Sequence, residues 1–295
     1  MKAKLVGSMV GILLAALACR VFSPTAPPTQ PVVETNVPEA MQSSTSVSPP
    51  PTEIGKPSGI PVSFQNVSFL IPEGLGTGAN PETVPAVGEN EGAPWDVAPA
   101  YSKFTLTGYP LQGKFFEPHI LVYPVQEFER VNQGAATSLA HLRVILASPS
   151  MPLTRDVIPG VPTFNAGMVF ASNTQVLSSG NGTGVRALTE YAQYFAPINN
   201  REMIYQFQGL TRDGKYYIIA ILPINAPFLA ADEDPASALP ADGIPYPDIN
   251  TAGEAEVNAY YQAVTDKLNA TSPDAFTPSL SQLDALIASI TVGSQ

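Results

Sequence analysis

REMIYQFQGLTRDGKYYIIAILP (Arg201–Pro223) is the stretch that decides the fold. In its first half Met203, Tyr205 and Phe207 fall on one parity and Glu202, Gln206 and Gln208 on the other, which is the period-two pattern of a strand with one buried face. After the turn signal GLTRDG, the run KYYIIAILP is apolar on both parities. Such a strand needs cover on both faces and belongs at the centre of a sheet that also carries helices. Upstream, GMVFASNTQVL and GVRALTEY share the β-branched and aromatic bias and are set apart by SSGNGTG and AQYFAPINN. Sequential strands joined by turns pair with their neighbours, so the four segments are expected to form a four-stranded antiparallel meander.

Working outward, VSFQNVSFLIP (Val62–Pro72) reads as one strand stopped by proline, and YSKFTLTGYP (Tyr101–Pro110) and HILVYP (His119–Pro124) read as two more. Helical spacing appears in VQEFERVNQ (Val125–Gln133) and in AATSLAHLRVILAS (Ala135–Ser148), where Leu139, Leu142 and Leu146 share a face. TAGEAEVNAYYQAVTDKLNA (Thr251–Ala270) offers Thr251 as a cap and a stripe of Val257, Tyr260, Tyr261, Val264 and Leu268. SLSQLDALIASI (Ser279–Ile290) repeats the pattern with Leu280, Leu283, Leu286 and Ile287. No repeat of fixed period is present, which disfavours a solenoid or propeller. The class is α+β: an antiparallel sheet packed with helices in a single globular domain over residues 60–295.

The opening VSFLIPEG, the late DGKYYIIAILP and the terminal LDALIASITV are together similar to the plan of PsbP-like domains. That resemblance implies an extracytoplasmic sandwich with an antiparallel sheet, and an accessory or binding protein without catalysis. It brings no catalytic motif with it.

Ahead of the domain, Lys2 and Lys4 precede an uncharged run from Leu5 to Ala18 that is too short for an ordinary membrane span. Residues 1–18 read as a signal peptide. Ala16, Leu17 and Ala18 fit simple secretion, and followed by Cys19, the one cysteine of the chain, they resemble the lipobox of bacterial lipoproteins. In that family the cysteine becomes the lipidated first residue, with leucine where this chain has Ala16. Residues 19–59, rich in proline, serine and threonine, carry no apolar periodicity and read as a disordered tether. Cys19 is then an anchor on the outer side of a cell membrane, with a secreted protein as the alternative. A lone cysteine can form neither an internal disulfide nor a thiolate metal cage.

Charge and motifs exclude more than they assign. The net charge of −11, with no basic cluster after Lys4, argues against nucleic acid. His119 and His141 are the only histidines and form no H-E-x-x-H pair, so a zinc enzyme is not indicated. No G-x-S-x-G elbow or S-x-x-K pair occurs, GLGTG (Gly74–Gly78) lacks the Lys-Ser/Thr of a phosphate loop, and no motif implies a cofactor.

Two features stay open. The segment Ile224–Asn250 runs 27 residues without periodicity between the most apolar strand and the longest helix. It reads chiefly as a solvated, proline-stiffened loop, and its Asp232, Glu233, Asp234, Asp242 and Asp248 are candidate ligands for Ca²⁺ or another partner. The aromatic residues Trp95, Tyr101, Tyr109, Phe115, Phe116, Tyr191, Tyr194 and Phe195 could line a groove or fill the core. A tethered binding domain for a protein, glycan or small molecule is the expected function. The alternative is a cell-envelope hydrolase working through two converging carboxylates.

Overall fold

The computed structural model describes residues 58–293 except 149, 235 and 249. The signal-peptide, Cys19 and linker readings for residues 1–57 lie outside the described residues. In chain order the strands are β1 (Gly59–Phe64), β2 (Val67–Pro72), β3 (Gly78–Val84), β4 (Tyr101–Thr107), β5 (His119–Pro124) and β6 (Gly167–Met168). There follow β7 (Ser172–Ser179), β8 (Gly182–Thr189), β9 (Tyr191–Ala192), β10 (Ile204–Thr211), β11 (Tyr216–Pro223) and β12 (Thr291–Val292). The α-helices are α1 (Val125–Val131), α2 (Gln133–Ala147), α3 (Glu254–Ala270) and α4 (Leu280–Ser289).

The doubly apolar run becomes β11, the middle strand of a seven-stranded antiparallel sheet of order β3-β4-β5-β11-β10-β8-β7. The meander is present as β7-β8-β10-β11, interrupted only by the short β9, and β11 joins it to a second meander, β3-β4-β5. Ile218, Ala220 and Leu222 of β11 pack with β2, α3 and α4, while Tyr217, Ile219 and Ile221 pack with α1 and α2 on the other face. Burying an aliphatic side chain of this size contributes about 1.5–3 kcal/mol, so a strand buried on both faces anchors two cores at once. A smaller antiparallel sheet, β1-β2-β12, lies in the same layer as α3 and α4. From residue 58 onward the described chain is one unit.

Several expectations need correction. VSFQNVSFLIP is a hairpin rather than one strand: Phe64 pairs with Val67, and Gln65 turns the chain at φ 52°. β3 was not foreseen, because GANPETV has the composition of an edge, with Pro81 unable to donate to a further strand. The polar parity of β10 is buried as well, with Gln206 and Gln208 each 1% exposed. These amides are admitted because they are satisfied. The Tyr191 hydroxyl donates to Gln206 Oε1 at 2.6 Å, the Tyr217 hydroxyl donates to Gln208 Oε1, and Gln208 Nε2 donates to Pro159 O at 2.6 Å. Helix α3 is capped by Gly253 rather than Thr251, with the Glu256 carboxylate accepting from Gly253 N at 2.9 Å.

Both edges of the large sheet are blunted. β3 carries Pro81 and the Glu82–Lys103 ion pair at 3.3 Å. β7 breaks register between Ser172 and Gln175, where Asn173 sits at φ 48°. The segment Ile224–Asn250 is less solvated than expected, since Ile224, Ala226, Phe228 and Leu229 are buried in the core beside α3 and α4.

Candidate functional site

Beyond β9 the chain leaves the sheet through Tyr194-Phe195-Ala196-Pro197-Ile198, and beyond Leu229 the second excursion runs out to Asn250. Between them lies a cleft of about 570 Å³ with Tyr260 of α3 at its base. Helical spacing places Tyr260 and Tyr261 side by side on the buried stripe, and their hydroxyls fix the first wall. Ile198 N donates to the Tyr260 hydroxyl at 3.0 Å, and the Tyr261 hydroxyl bonds Ala196 N and Ala196 O at 3.1 and 2.9 Å. Burial raises both phenols above their ordinary range, so they remain neutral hydrogen-bonding groups.

The two walls are joined by Asn199 and Asn200. Asn200 N donates to Ala230 O at 2.9 Å, its Nδ2 donates to Ala226 O and Leu229 O at 3.0 and 3.1 Å, and its Oδ1 accepts from Ala226 N at 2.8 Å. Asn199, fully buried, accepts on Oδ1 from Arg201 N and Glu202 N at 3.0 and 3.1 Å. Its Nδ2 donates to Glu190 Oε1 and Glu202 Oε2, each at 3.1 Å, and its backbone N–H donates to Glu190 Oε2 at 3.3 Å. The asparagine pair therefore sets the spacing of the cleft.

Glu190 is 2% exposed, and its carboxyl is held well above the ordinary 4.5, first by burial and then by the neighbouring Glu202 carboxylate. The folded protein thus keeps this proton to a higher pH than the unfolded chain does. Between the ordinary value and the raised one, the folded state binds more protons, and this group's contribution to stability falls as pH rises; below the ordinary value it is fully present. Denaturant titrations from pH 5 to pH 8 are expected to show this decline in the wild type and a flatter profile in Glu190→Gln, which carries no proton to lose. An unchanged slope in the variant would remove Glu190 as its source.

Of the candidate residues, Asp232, Glu233, Asp234 and Asp248 line the cleft together with Tyr194 and Phe195, while Asp242 lies outside the lining and pairs with Lys267 at 3.1 Å. The carboxylates do not converge on one point: among the described residues no group of three or more His, Cys, Asp or Glu is placed to hold a metal. Asp232 accepts from the Ser237 hydroxyl and from Asp234 N, which hold it below the usual carboxylate range. Asp248 is likewise lowered by Asn250 N and Nδ2, both at 3.0 Å. These local bonds shape turns rather than a coordination sphere. Of the other aromatic candidates, Tyr109 is buried and donates to Pro223 O at 2.7 Å, Phe116 stacks on Phe164 at 4.9 Å, Tyr101 leans on Tyr123 at 4.3 Å, Tyr191 is buried against Gln206, and Trp95 and Phe115 are exposed outside the cleft lining.

Tyr246 and Tyr260, which meet edge-on at 4.8 Å, complete the aromatic lining and were not singled out from the sequence. Tyr260 reads there as ordinary core, and Tyr246 is hidden within IPYPD, whose prolines alone hint at a fixed turn. A larger hollow of about 730 Å³ lies between β4, α1 and the β10–β11 turn, where exposed Glu127 and Lys215 give a surface of mixed sign. The cleft beside Asn199, with its apolar walls and single sign of charge, is the better-defined site. No family model, curated protein or solved structure matches this chain, so the cleft's own residues are the ground for its chemistry.

Proposed function

We propose that this protein is an extracytoplasmic binding lipoprotein, anchored to the cell membrane through Cys19 and holding a ligand in the cleft between residues 194–198 and 229–250. The observation that carries this reading is the cleft itself, concave, aromatic and apolar along its walls with a few polar groups, the usual makeup of a small-molecule site. The PsbP-like sandwich belongs to the same reading, supported by the N-terminal strand pairing, the late central strand and the terminal helix that ends in a short strand. The hydrolase alternative draws on the buried Glu190 and the half-buried Glu202 beside it. It is weaker, because both Glu190 oxygens accept bonds from Asn199 and neither carboxylate lines the cleft.

Two arms of one purification test the proposal. Wild type is expected to partition with membranes and Cys19→Ser to appear in the soluble fraction, a large contrast because several acyl chains hold firmly and the serine variant carries none. Equal solubility of the two would sink the anchor. Mass spectrometry of molecules released from wild type and from Leu239→Lys, which places a bulky positive charge on the exposed cleft wall, tests the site. A compound released by the first and absent from the second is the expected result. Identical release would remove the cleft from the function.

A further inference from the structure

Resting on that binding reading, we infer that the cleft takes a small organic cation, an ammonium group carried on an apolar body. The apolar body is matched by Leu239, Ile244 and the rings of Tyr194, Phe195, Tyr246 and Tyr260. Aromatic faces attract cations through their quadrupole, and a site that combines several rings with carboxylates favours ammonium over a neutral isostere. The charge lining is of one sign. Asp232, Glu233, Asp234 and Asp248 face the cleft region, and no described lining residue is Lys, Arg or His. The whole segment Ile224–Asn250 holds five acids and no base.

Arg201, which is not part of the lining, is paired with Glu233 Oε1 at 2.6 Å. Glu233 Oε2 and the Tyr246 hydroxyl are buried without a hydrogen-bond partner among the described residues. The carboxylates of this lining attract an ammonium group, do little for a neutral body and repel a carboxylate. The size of the cleft suits a small molecule rather than a folded partner. The net charge of −11 adds a long-range attraction of the same sign.

Isothermal titration of the full chain with benzyltrimethylammonium, benzyl alcohol and phenylacetate separates the charge assignment from the binding reading. The ammonium is expected to bind at least about tenfold more tightly than the alcohol, with phenylacetate weakest. Asp234→Asn with Asp248→Asn keeps the local acceptor geometry and is expected to erase most of the ammonium's advantage while leaving the alcohol unchanged. Tyr194→Ala with Phe195→Ala, at rings 67% and 58% exposed, is expected to weaken every probe without unfolding the protein. Equal or tighter binding of the alcohol or of phenylacetate overturns the cation assignment and leaves a binding cleft. Absence of binding by all three overturns both.

Discussion

Replacing Phe228 by alanine is expected to destabilise the protein by about 3–5 kcal/mol, the usual cost of deleting a buried aromatic ring. Phe228 is 1% exposed in the core shared by β11, α3 and α4, and Lys267 Nζ lies 4.5 Å from its ring centroid. For a domain of this size the loss corresponds to a fall in melting temperature on the order of 10 °C. Leu239→Ser in the same excursion, at a side chain 40% exposed, is expected to change stability by no more than about 0.5 kcal/mol. The pair distinguishes two roles within one irregular segment: residues near Ile224–Leu229 complete the core, and those beyond them shape the cleft. Were Phe228→Ala to melt with the wild type, the segment would be the detachable connection that its composition suggests.

Asp284→Ala is expected to cost about 3 kcal/mol, toward the lower end for breaking a buried ion pair because the Asp284 side chain is still 28% exposed. Asp284 projects from α4 onto β8 and β10. Its Oδ2 accepts from Arg186 at 2.5 Å, and its Oδ1 accepts from the Tyr205 hydroxyl at 2.8 Å. Arg186, only 7% exposed, keeps Asn173 O and the Gln175 side chain at 2.9 and 3.0 Å but loses its one carboxylate partner among the described residues. Most of the penalty is this stranded guanidinium. Asp284→Asn, which keeps an acceptor for Tyr205, is expected to lose roughly half as much. Urea midpoints at constant slope check both, and a cost under about 1 kcal/mol for the alanine variant would show that water reaches the pair and screens it.

The sheet was readable wherever apolar residues met the period of a strand. KYYIIAILP could be placed at the centre because no surface strand has both parities apolar, and the four helical stripes followed from spacings of three and four. The opening hairpin escaped because Gln65-Asn66 interrupts VSFQNVSFLIP without a glycine or proline, and a left-handed glutamine leaves no mark in composition. The buried faces of β8 and β10 escaped for a different reason. Arg186, Gln206 and Gln208 look like solvent-facing residues until partners from distant elements are known. The cleft was half legible: Tyr194, Phe195 and the loop acids were visible as residue types, but their meeting depends on Asn200 bonding to Ala226, Leu229 and Ala230, and no local pattern encodes that pairing.

The blunted edges of the large sheet bear on how the domain behaves in company. A domain tied to a surface moves in two dimensions, where neighbours collide far more often than at the same copy number in free solution. On the proposed anchor, an open strand edge would recruit the next molecule's edge and grow a ribbon along the surface. Pro81, the Glu82–Lys103 pair and the kink at Asn173 refuse that pairing at both ends of the sheet. Crowding of domains held by the proposed anchor would then concentrate them without joining them through the edges of this sheet.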